Sequence, residues 1–390
     1  MRILLVSSFL LFKKTRFGGA KRLFELANYL DRSEEMHLIC FDSCNESEGL
    51  GYCRQEFRKA IDFGFPKIPV WKKAFYPPGF PAILYKENRQ AIQNFISGMS
   101  FDAILLCYPT ALVVLQNPLI AKHPNIVYLE DDFQTERYRS DAKSALNPFR
   151  KAFCLFRGWQ MGIAQSRMLR VVKKIICISQ EEMEYAKVHF PWLQPHIIQY
   201  GLPPSEYPIV PLPEYLNSVG FIGNFRHYPN PEAVDWFLNQ VFPRLRKRDP
   251  RFSCIIAGRD IPGWLKAKHE IVSGVRFWEN VERLEHFYGL IGIFVNPVRT
   301  GKGLRTKMIE AAFFGRPMVS TSLGAEGLQD TLGISIADTP EQFTQTVAEL
   351  VSNPIGIREI VQRNRRIAET HFTVEAQGAK LLRLLEELPR

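Results

Sequence analysis

The segment 295–328 holds the residues whose types and spacing are best suited to bind an anion. It reads VNPVRTGKGLRTKMIEAAFFGRPMVSTSLGAEGL, and this pattern predicts a strand, a glycine-containing loop, a helix from near Leu304, a second strand and a second glycine loop. Gly301 and Gly303 free the backbone just before the helix, where exposed N–H groups and the helix dipole attract negative charge. Three basic side chains accompany this loop: Lys302, Arg305 and Lys307. Such an arrangement fits a pyrophosphate.

Glu310 lies further along the same predicted helix, which is expected to end at Gly315. The helical period places Glu310 on one face with Gly303, Thr306 and Lys307. A carboxylate there can accept hydrogen bonds from the two vicinal hydroxyls of a ribose. The same spacing fits a simple Lys307–Glu310 ion pair at i, i+3, which is worth about 0.2–0.5 kcal/mol. Spacing alone leaves both interpretations open.

A second candidate is the acidic run Glu130-Asp131-Asp132, which follows the predicted strand Asn125–Glu130. Carboxylates at the carboxyl end of a parallel strand face the ligand crevice. Asp131 or Asp132 is therefore a candidate to orient or deprotonate an acceptor hydroxyl. The run also fits a loop that caps the next helix. A metal ion is a further option, but no other ligand in the sequence supports one.

Short apolar runs alternate with longer amphipathic stretches along most of the chain, which predicts parallel β-α-β units and an α/β fold. Strands expected in the first half are Arg2–Ser7, His37–Phe41, Asp102–Cys107, Asn125–Glu130, Lys174–Ser179 and His196–Tyr200. Residues 203–218 contain five prolines, a composition typical of a linker. Strands expected after them are Val219–Gly223, Ser253–Ala257, Val275–Trp278, Ile291–Asn296, Pro317–Thr321 and Ile334–Ile336.

Several helices are predicted from apolar spacing and end signals. Ala20–Asp31 is amphipathic, and Tyr138–Val171 reads as one long helix rich in Phe, Leu and Arg. In NPEAVDWFLNQVF, Asn230 is expected to cap a helix whose first turn contains Pro231. The last helix, Thr373–Leu388, is amphipathic and is expected to fold back across the linker.

Composition narrows the classes of protein. A length of 390 residues predicts more than one domain, and a formal net charge of +10 favours anionic partners: a nucleotide, an anionic membrane leaflet or nucleic acid. Any single basic run also fits a solvated helix face. Seven cysteines without a CxxC pair predict reduced core thiols rather than disulfides or a zinc site. No apolar stretch approaches the about 20 residues that span a bilayer, so we expect a cytoplasmic protein.

The segment 295–328 resembles the donor-binding signature of glycosyltransferase family 4 (glycosyl transferases group 1), in which a glycine-containing loop leads into a helix ending Glu-Ala-x-x-x-Gly-x-Pro-x-Val-x-Thr. GFIGNFRHYPNPEAVDWFLNQVFPRLRKRDP resembles the start of the C-terminal domain of that family. The resemblance implies a GT-B fold, in which two Rossmann-like domains face each other across a cleft. The resemblance implies an acceptor domain over residues 1–202, a linker over 203–218 and a donor domain over 219–371. Residues 372–390 would form a helix that packs back on the first domain.

The resemblance also implies roles for individual residues. Glu310 would hold the donor ribose, and Arg226 and Lys307 would neutralise the leaving diphosphate. Further donor contacts would come from Gly18, Gly19, Gly223, Asn224, His227, Asn280, Val281, Gly301, Lys302, Gly303 and Leu304. The common family pattern has a first Glu eight residues before the second, where this chain has Lys302. Backbone amides or other groups must therefore contact the donor sugar.

The sequence thus predicts a glycosyltransferase that moves a sugar from a nucleotide diphosphate sugar, its co-substrate, to an acceptor hydroxyl. The resemblance implies retention of configuration, and we expect neither a metal nor another cofactor. We expect the acceptor to be a glycan, a lipid-linked glycan or a small molecule. We also expect the enzyme to make peripheral contact with the inner face of an anionic membrane. One alternative is a GT-B-fold sugar-nucleotide epimerase. Another is a basic nucleic-acid-binding or scaffolding protein, although no nucleic-acid-binding motif is present and specific binding is not expected.

Overall fold

The computed structural model describes residues 1–12, 18–42, 53, 57, 59–64, 82–130, 133–145, 147–301 and 303–389. It divides into two compact units. The first unit is Met1–Gly201 together with Val374–Arg390, and the second is Leu202–Thr373. Each unit has its own parallel sheet.

The sheet of the first unit has seven parallel strands in the order β3-β2-β1-β4-β5-β6-β7. The strands are β1 (Arg2–Ser7), β2 (Glu35–Phe41), β3 (Ala60–Phe63), β4 (Ala103–Cys107), β5 (Ile126–Leu129), β6 (Lys174–Cys177) and β7 (Gln194–Ile197). Alternate residues of β1 pack into two different hydrophobic cores. Ile3 and Leu5 belong to one core, and Leu4 and Val6 belong to the other. The ends of six strands lie within three residues of the sequence prediction. The short edge strand β3 was not predicted.

The helices of the first unit confirm most of the apolar spacing but correct one prediction. They are α1 (Gly18–Asp31), α2 (Ala82–Ile96), α3 (Pro118–Ala121), α4 (Gln134–Ser144), α5 (Pro148–Met168) and α6 (Gln180–His189). The prediction of a single helix over Tyr138–Val171 is wrong, because two separate helices, α4 and α5, occupy most of this segment. The Asn147 side-chain oxygen accepts the N–H groups of Phe149 and Arg150, and Pro148 begins the new helix.

The sheet of the second unit has six parallel strands in the order β10-β9-β8-β11-β12-β13. The strands are β8 (Ser218–Asn224), β9 (Ser253–Arg259), β10 (Val275–Glu279), β11 (Ile293–Asn296), β12 (Met318–Ser320) and β13 (Ile334–Ile336). The helices are α7 (Pro229–Trp236), α8 (Phe242–Arg248), α9 (Gly263–His269), α10 (Leu284–Leu290), α11 (Thr306–Phe313), α12 (Pro340–Ser352) and α13 (Pro354–His371). A π-helical turn, Phe237–Val241, joins α7 to α8.

The proline-rich segment 203–218 belongs to the second unit and is packed there. The buried guanidinium of Arg316 donates hydrogen bonds to the carbonyl oxygens of Val210 and Pro211, at 2.9 and 2.8 Å. A Cβ on Gly292 would lie 2.5 Å from the Leu216 carbonyl oxygen, so a side chain at position 292 would displace this segment.

The last helix, α14 (Val374–Glu386), belongs to the first unit and packs against α1. A Cβ on Gly378 would lie 2.4 Å from the Tyr29 ring, so this glycine permits the close approach. The buried Gln377 accepts the Gln199 N–H at 2.8 Å. No helix in the described part of the chain is long and apolar enough to cross a membrane.

Candidate functional site

The centre of the second sheet is the place where its chain connections diverge. β8 and β11 are neighbours, but the next strand along the chain from β8 lies on one side and that from β11 on the other. Ligands of open parallel sheets bind at such a switch point, beside the carboxyl ends of the strands. The loops after β8 and β11 meet there, since a Cβ on Gly301 would lie only 2.8 Å from Pro229 Cγ.

Lys307, in the first turn of α11, brings a cation to this point. Its Nζ donates a hydrogen bond to Asn230 Oδ1 at 2.9 Å and lies 4.1 Å from the centroid of the Phe221 ring. Burial, and next the charge of Arg305, lower the pKa of Lys307 to about 7, whereas Glu310 opposes the shift. An anion placed beside this ammonium group would favour its charged form.

Asn230 links this lysine to the end of β8. The prediction that Asn230 caps the helix is wrong, because α7 begins at Pro229 and Asn230 lies inside its first turn. Its buried side chain donates to the Asn224 carbonyl oxygen at 2.7 Å and accepts from Lys307. Gly223 leaves room for both groups, since a Cβ there would lie 3.0 Å from Asn230 Nδ2 and 3.2 Å from Lys307 Nζ.

Two glycines lie in the loop before α11. Gly301 and Gly303 adopt φ values of 86° and 97°, in the left-handed region that favours glycine, and both are half-buried. The helix begins at Thr306 rather than near Leu304, so Leu304 is a loop residue. Lys302 lies outside the described residues. The helix ends at Phe313, and Gly315 follows with a φ of 71°, which confirms the predicted stop.

Arg226 and His227 lie in the turn that follows β8. The side-chain oxygen of Asn224 accepts a hydrogen bond from the backbone N–H of Arg226 at 3.0 Å. The backbone carbonyl oxygen of Asn224 accepts one from the backbone N–H of His227 at 3.2 Å. The Arg226 side chain is 79% exposed and forms an ion pair with Asp260, with Nε 3.1 Å from Oδ2. Arg226 is therefore a solvated cation held beside the switch point.

The ends of β9 and β10 bring the predicted residues Asn280 and Val281 to the same edge of the sheet. A Cβ on Gly258 would lie 1.8 Å from the Gly223 carbonyl oxygen, so only glycine fits there. The Gly258 carbonyl oxygen accepts the Asn280 N–H at 2.8 Å. Asn280 is exposed, has a φ of 53°, and begins the loop that continues to the half-buried Val281.

Glu310 lies one turn after Lys307 and is half-buried. Its charge opposes the lowering of the Lys307 pKa and helps burial to raise the pKa of Tyr288. The Glu310 carboxylate therefore lies within electrostatic range of both residues. The ammonium group of Lys307 donates a hydrogen bond to Asn230 Oδ1, which lies in the first turn of α7.

Loops after β11 and β12 pack on residues that the sequence analysis did not single out. Asn296 is completely buried, and its Nδ2 donates to the Gly324 carbonyl oxygen at 2.8 Å. Ser320 Oγ donates to the Asn296 carbonyl oxygen at 3.0 Å. A Cβ on Gly324 would lie 2.4 Å from Ser320 Oγ. A polar residue ending each of two buried strands was the signal that could have revealed this support.

Gly18 and Gly19, which the sequence analysis singled out, lie beside the switch point of the first unit, between β1 and β4. Gly18 and Gly19 begin α1, and a Cβ on Gly19 would lie 2.7 Å from the Tyr108 hydroxyl. Asp131 and Asp132 lie outside the described residues. Glu130 is buried, and its Oε2 accepts hydrogen bonds from the Tyr128 hydroxyl and the Gln165 amide at 2.6 and 2.8 Å.

Among the described residues, no group of three or more His, Cys, Asp or Glu side chains is placed to hold a metal ion. The six cysteines in that part of the chain, Cys40, Cys53, Cys107, Cys154, Cys177 and Cys254, are free thiols and buried. Reduced core thiols were predicted for them.

Comparison with known proteins adds family and fold information. Residues 217–353 match the family model described as glycosyl transferases group 1. A 44.6 kDa protein of the cps region of Klebsiella pneumoniae is 22% identical over 289 residues, which are 71% of this chain and 72% of that protein.

Two solved structures match nearly the whole chain. Sucrose-phosphate synthase from Thermosynechococcus elongatus superposes with a TM-score of 0.73 at 14% identity, over 99% of this chain and 98% of that one. HepE from Anabaena, in complex with UDP-glucose, superposes with a TM-score of 0.68 at 14% identity, over the full length of both chains.

Proposed function

We propose that this glycosyltransferase, which combines a glycosyl transferases group 1 domain with the GT-B fold, takes its sugar from a nucleoside diphosphate sugar and transfers it to an acceptor hydroxyl. The donor diphosphate lies against the glycine loop and the amino end of α11, in the second unit. The enzyme belongs to family 4, retains the anomeric configuration and acts without a metal ion.

Lys307 is the observation that carries this proposal. Its ammonium group lies against Phe221, Asn230 and Gly223, and burial, followed by the charge of Arg305, lowers its pKa to about 7. A diphosphate beside Gly301 and Gly303 would supply negative charge and raise the pKa again. Preorganised cations and helix N–H groups stabilise the leaving diphosphate as the glycosidic bond breaks, typically by a few kcal/mol for each donor.

Other residues extend the proposed donor site. Arg226, exposed in the turn after β8, adds charge to the leaving group once it exchanges its ion pair with Asp260 for a phosphate contact. His227 follows it in the same turn. Glu310 accepts the ribose hydroxyls, and Asn280 and Val281 contact the base. Because Lys307 and Arg226 neutralise the diphosphate, no divalent ion is needed for its departure.

The acceptor is proposed to bind to the first unit. Gly18 and Gly19, which begin α1, are proposed as donor contacts from the same unit. Asp131 and Asp132 are the proposed groups that orient or deprotonate its hydroxyl. The alternative of a sugar-nucleotide epimerase would use the same diphosphate loop, so incubation with UDP-hexose in the absence of an acceptor separates the two. An epimerase would interconvert the sugars under those conditions.

Peripheral contact with an anionic membrane on its cytoplasmic side is the second part of the proposal, and α5 supports it. Phe149, Phe153 and Phe156 recur at helical spacing and are exposed, as is Trp159. The helix contains four arginine or lysine residues and no acidic one. Exposed aromatic side chains flanked by basic ones are typical of helices that lie in the interface of anionic lipids.

Ligand-induced stabilisation tests the donor assignment. We expect at least one of UDP-, GDP-, ADP- and dTDP-glucose to raise the melting temperature of the full chain, because a ligand bound only by the folded state stabilises it. Glu310→Ala should remove the ribose contacts and with them most of this shift, whereas Glu349→Ala, an exposed carboxylate on α12, should not. Equal shifts in both variants, or no shift with any nucleotide, would refute the assignment.

A further inference from the structure

A groove in the second unit lies between α7 with its π-helical continuation and the start of α9. It has a volume of about 540 Å³, which is within the usual range for small-molecule sites, about 300–1,000 Å³. Its principal lining residues are Tyr228, Glu232, Asp235, Trp236, Asn239 and Trp264. The glycine loop and Lys307 do not line it, so it is distinct from the proposed diphosphate site.

Three aromatic rings form the apolar part of the groove. Tyr228 is 61% exposed and Trp264 is 55% exposed. The half-buried Trp236 also lines the groove, and the Arg299 guanidinium stands 5.0 Å from its ring centroid, close enough for a cation–π contact. Large aromatic side chains that remain exposed together in a concave surface offer stacking area to a ligand.

Polar groups beside these rings are carboxylates and carboxamides. Asp235 is held by Lys268 Nζ and His269 Nε2, each 2.8 Å from Oδ1. Burial opposes ionisation of Asp235, but these hydrogen bonds outweigh it and lower its pKa, so the group is a fixed anion. Glu232 adds a second carboxyl group.

The carboxamides come from an unusual piece of helix. Asn239 and Gln240 lie in the π-helical turn Phe237–Val241, where the Phe242 N–H donates to the Phe237 carbonyl oxygen. A π-helical turn is rare and occurs often at functional sites, because it displaces side chains from the regular helical positions. In this protein the π-helical turn contains both carboxamide residues that line the groove.

This combination selects among ligand classes. The lining residues include two carboxyl groups and no lysine or arginine, so a phosphate or sulfate group in the groove would face side chains of like charge. An apolar peptide would bury those carboxylates unpaired. A sugar ring has one C–H face that stacks on an aromatic ring, and its edge carries hydroxyl groups that donate to carboxylates and exchange hydrogen bonds with carboxamides.

We propose that this groove is a saccharide-binding site, separate from the donor loops, that holds a neutral oligosaccharide by stacking on Tyr228 and Trp264 and by hydrogen bonds to Asp235, Asn239 and Gln240. It anchors a glycan to the second unit and takes no part in bond cleavage. The inference extends beyond the proposed transfer reaction, and its ligand binds without the nucleotide.

Titration of the full chain with maltotriose, cellotriose and triacetylchitotriose tests this site by calorimetry and by tryptophan fluorescence. We expect saturable binding of at least one trisaccharide in the absence of nucleotide. Trp264→Ala should weaken it at least tenfold, and Trp264→Phe should restore most of the affinity because a ring remains. The matched control is Trp159→Ala, which removes a tryptophan that is 63% exposed in the first unit and should leave the affinity unchanged.

The outcomes separate this inference from the proposed function. UDP affinity and the melting temperature should be the same in Trp264→Ala and in the wild type. The inference is overturned if none of the three trisaccharides binds saturably at millimolar concentration, or if Trp264→Ala binds as the wild type does. Trisaccharide binding without any nucleotide binding would instead support the groove and contradict the donor assignment.

Discussion

The two switch points of this protein share a topology but differ in the side chains that occupy them. In the second unit, the loop after β11 contains Gly301 and Gly303 and leaves Lys307 with an amide as its hydrogen-bond partner. In the first unit, Tyr108 packs on Phe9, with 4.6 Å between ring centroids, and its hydroxyl lies beside Gly19. The second switch point has the Lys307 cation beside Gly223, whereas the first has aromatic rings beside Gly19.

The two units also differ in the contacts that their cationic side chains make near the switch point. Arg22 of α1 is almost completely buried, donates to the Ile198 carbonyl oxygen and lies 5.1 Å from the centroid of the Tyr200 ring. Burial raises the pKa of both Tyr108 and Tyr200, so these phenols stay neutral. The arginine therefore supports the packing of the first unit. A parallel sheet supplies the location of a crevice, but local side chains decide whether it binds charge.

The largest expected effect comes from removing the cation of the second switch point. Lys307→Met should lower kcat/KM for the donor by about 10²–10³, the usual loss for one electrostatic stabiliser of a transition state. The unliganded variant should melt at the same or a higher temperature at pH 7, because a buried cation has been removed. Lys247→Met, at an exposed position, is the control. An active Lys307→Met enzyme would remove the distinction between the two switch points.

A smaller effect is expected from the glycine loop itself. Gly301→Ala should weaken donor binding roughly tenfold, because a left-handed conformation costs a non-glycine residue about 1–2 kcal/mol and the new Cβ would meet Pro229. Gly303→Ala carries the same strain, but its Cβ has nothing within 4 Å, so the loss should be smaller. KM and calorimetric affinity measure both. If Gly303→Ala were the more damaging change, the contact between the loops after β8 and β11 would not organise the site.

The pH dependence of binding sharpens the same contrast. With a pKa of about 7 in the free protein, Lys307 is charged at pH 6 and mostly neutral at pH 8.5. UDP affinity should therefore fall by roughly tenfold over this range. Lys307→Arg keeps its charge throughout, so its profile reports only the titration of UDP. Identical profiles for the two proteins would show that Lys307 does not titrate as assigned.

Stability of the unliganded protein should change with pH in the opposite direction. The pKa of Lys307 is lower in the folded protein than its ordinary value of 10.5, so the unfolded chain binds more protons between these pH values. The free energy of unfolding therefore gains a contribution as pH rises from about 7 towards 10.5 and loses it as pH falls. Chemical denaturation of wild type and Lys307→Met, at pH 7 and pH 9, measures this difference.

The smallest effect is expected at α5 of the first unit, which exposes aromatic side chains. The double variant Phe156→Ala, Trp159→Ala should bind vesicles of phosphatidylglycerol and phosphatidylcholine about fivefold more weakly, which corresponds to ~1 kcal/mol. Binding should also weaken with salt, because basic residues contribute to it. Trp264→Ala, in the second unit, should bind as the wild type does. Equal loss in both variants would contradict a role specific to α5.

Much of the fold followed from local patterns. Alternation of apolar runs predicted both parallel sheets, and twelve of the strands were placed within a few residues. The prediction was possible because buried strands occur in the sequence as short apolar runs. Ala60–Phe63 was missed because four half-buried residues at a sheet edge carry little periodicity. The break before Pro148 was missed because apolar spacing continues on both sides of it.

Glycine spacing alone determined that a loop near Gly301 precedes a helix, and the basic residues beside it pointed to an anion. Only the tertiary structure decided which cation is enclosed, because Lys307 meets Asn230 across 77 positions of sequence. The pKa of Lys307 and the aromatic groove beside α7 likewise depend on side chains that are distant in the chain. Local periodicity records burial and turns, whereas desolvation and pairing arise from neighbours that only folding brings together.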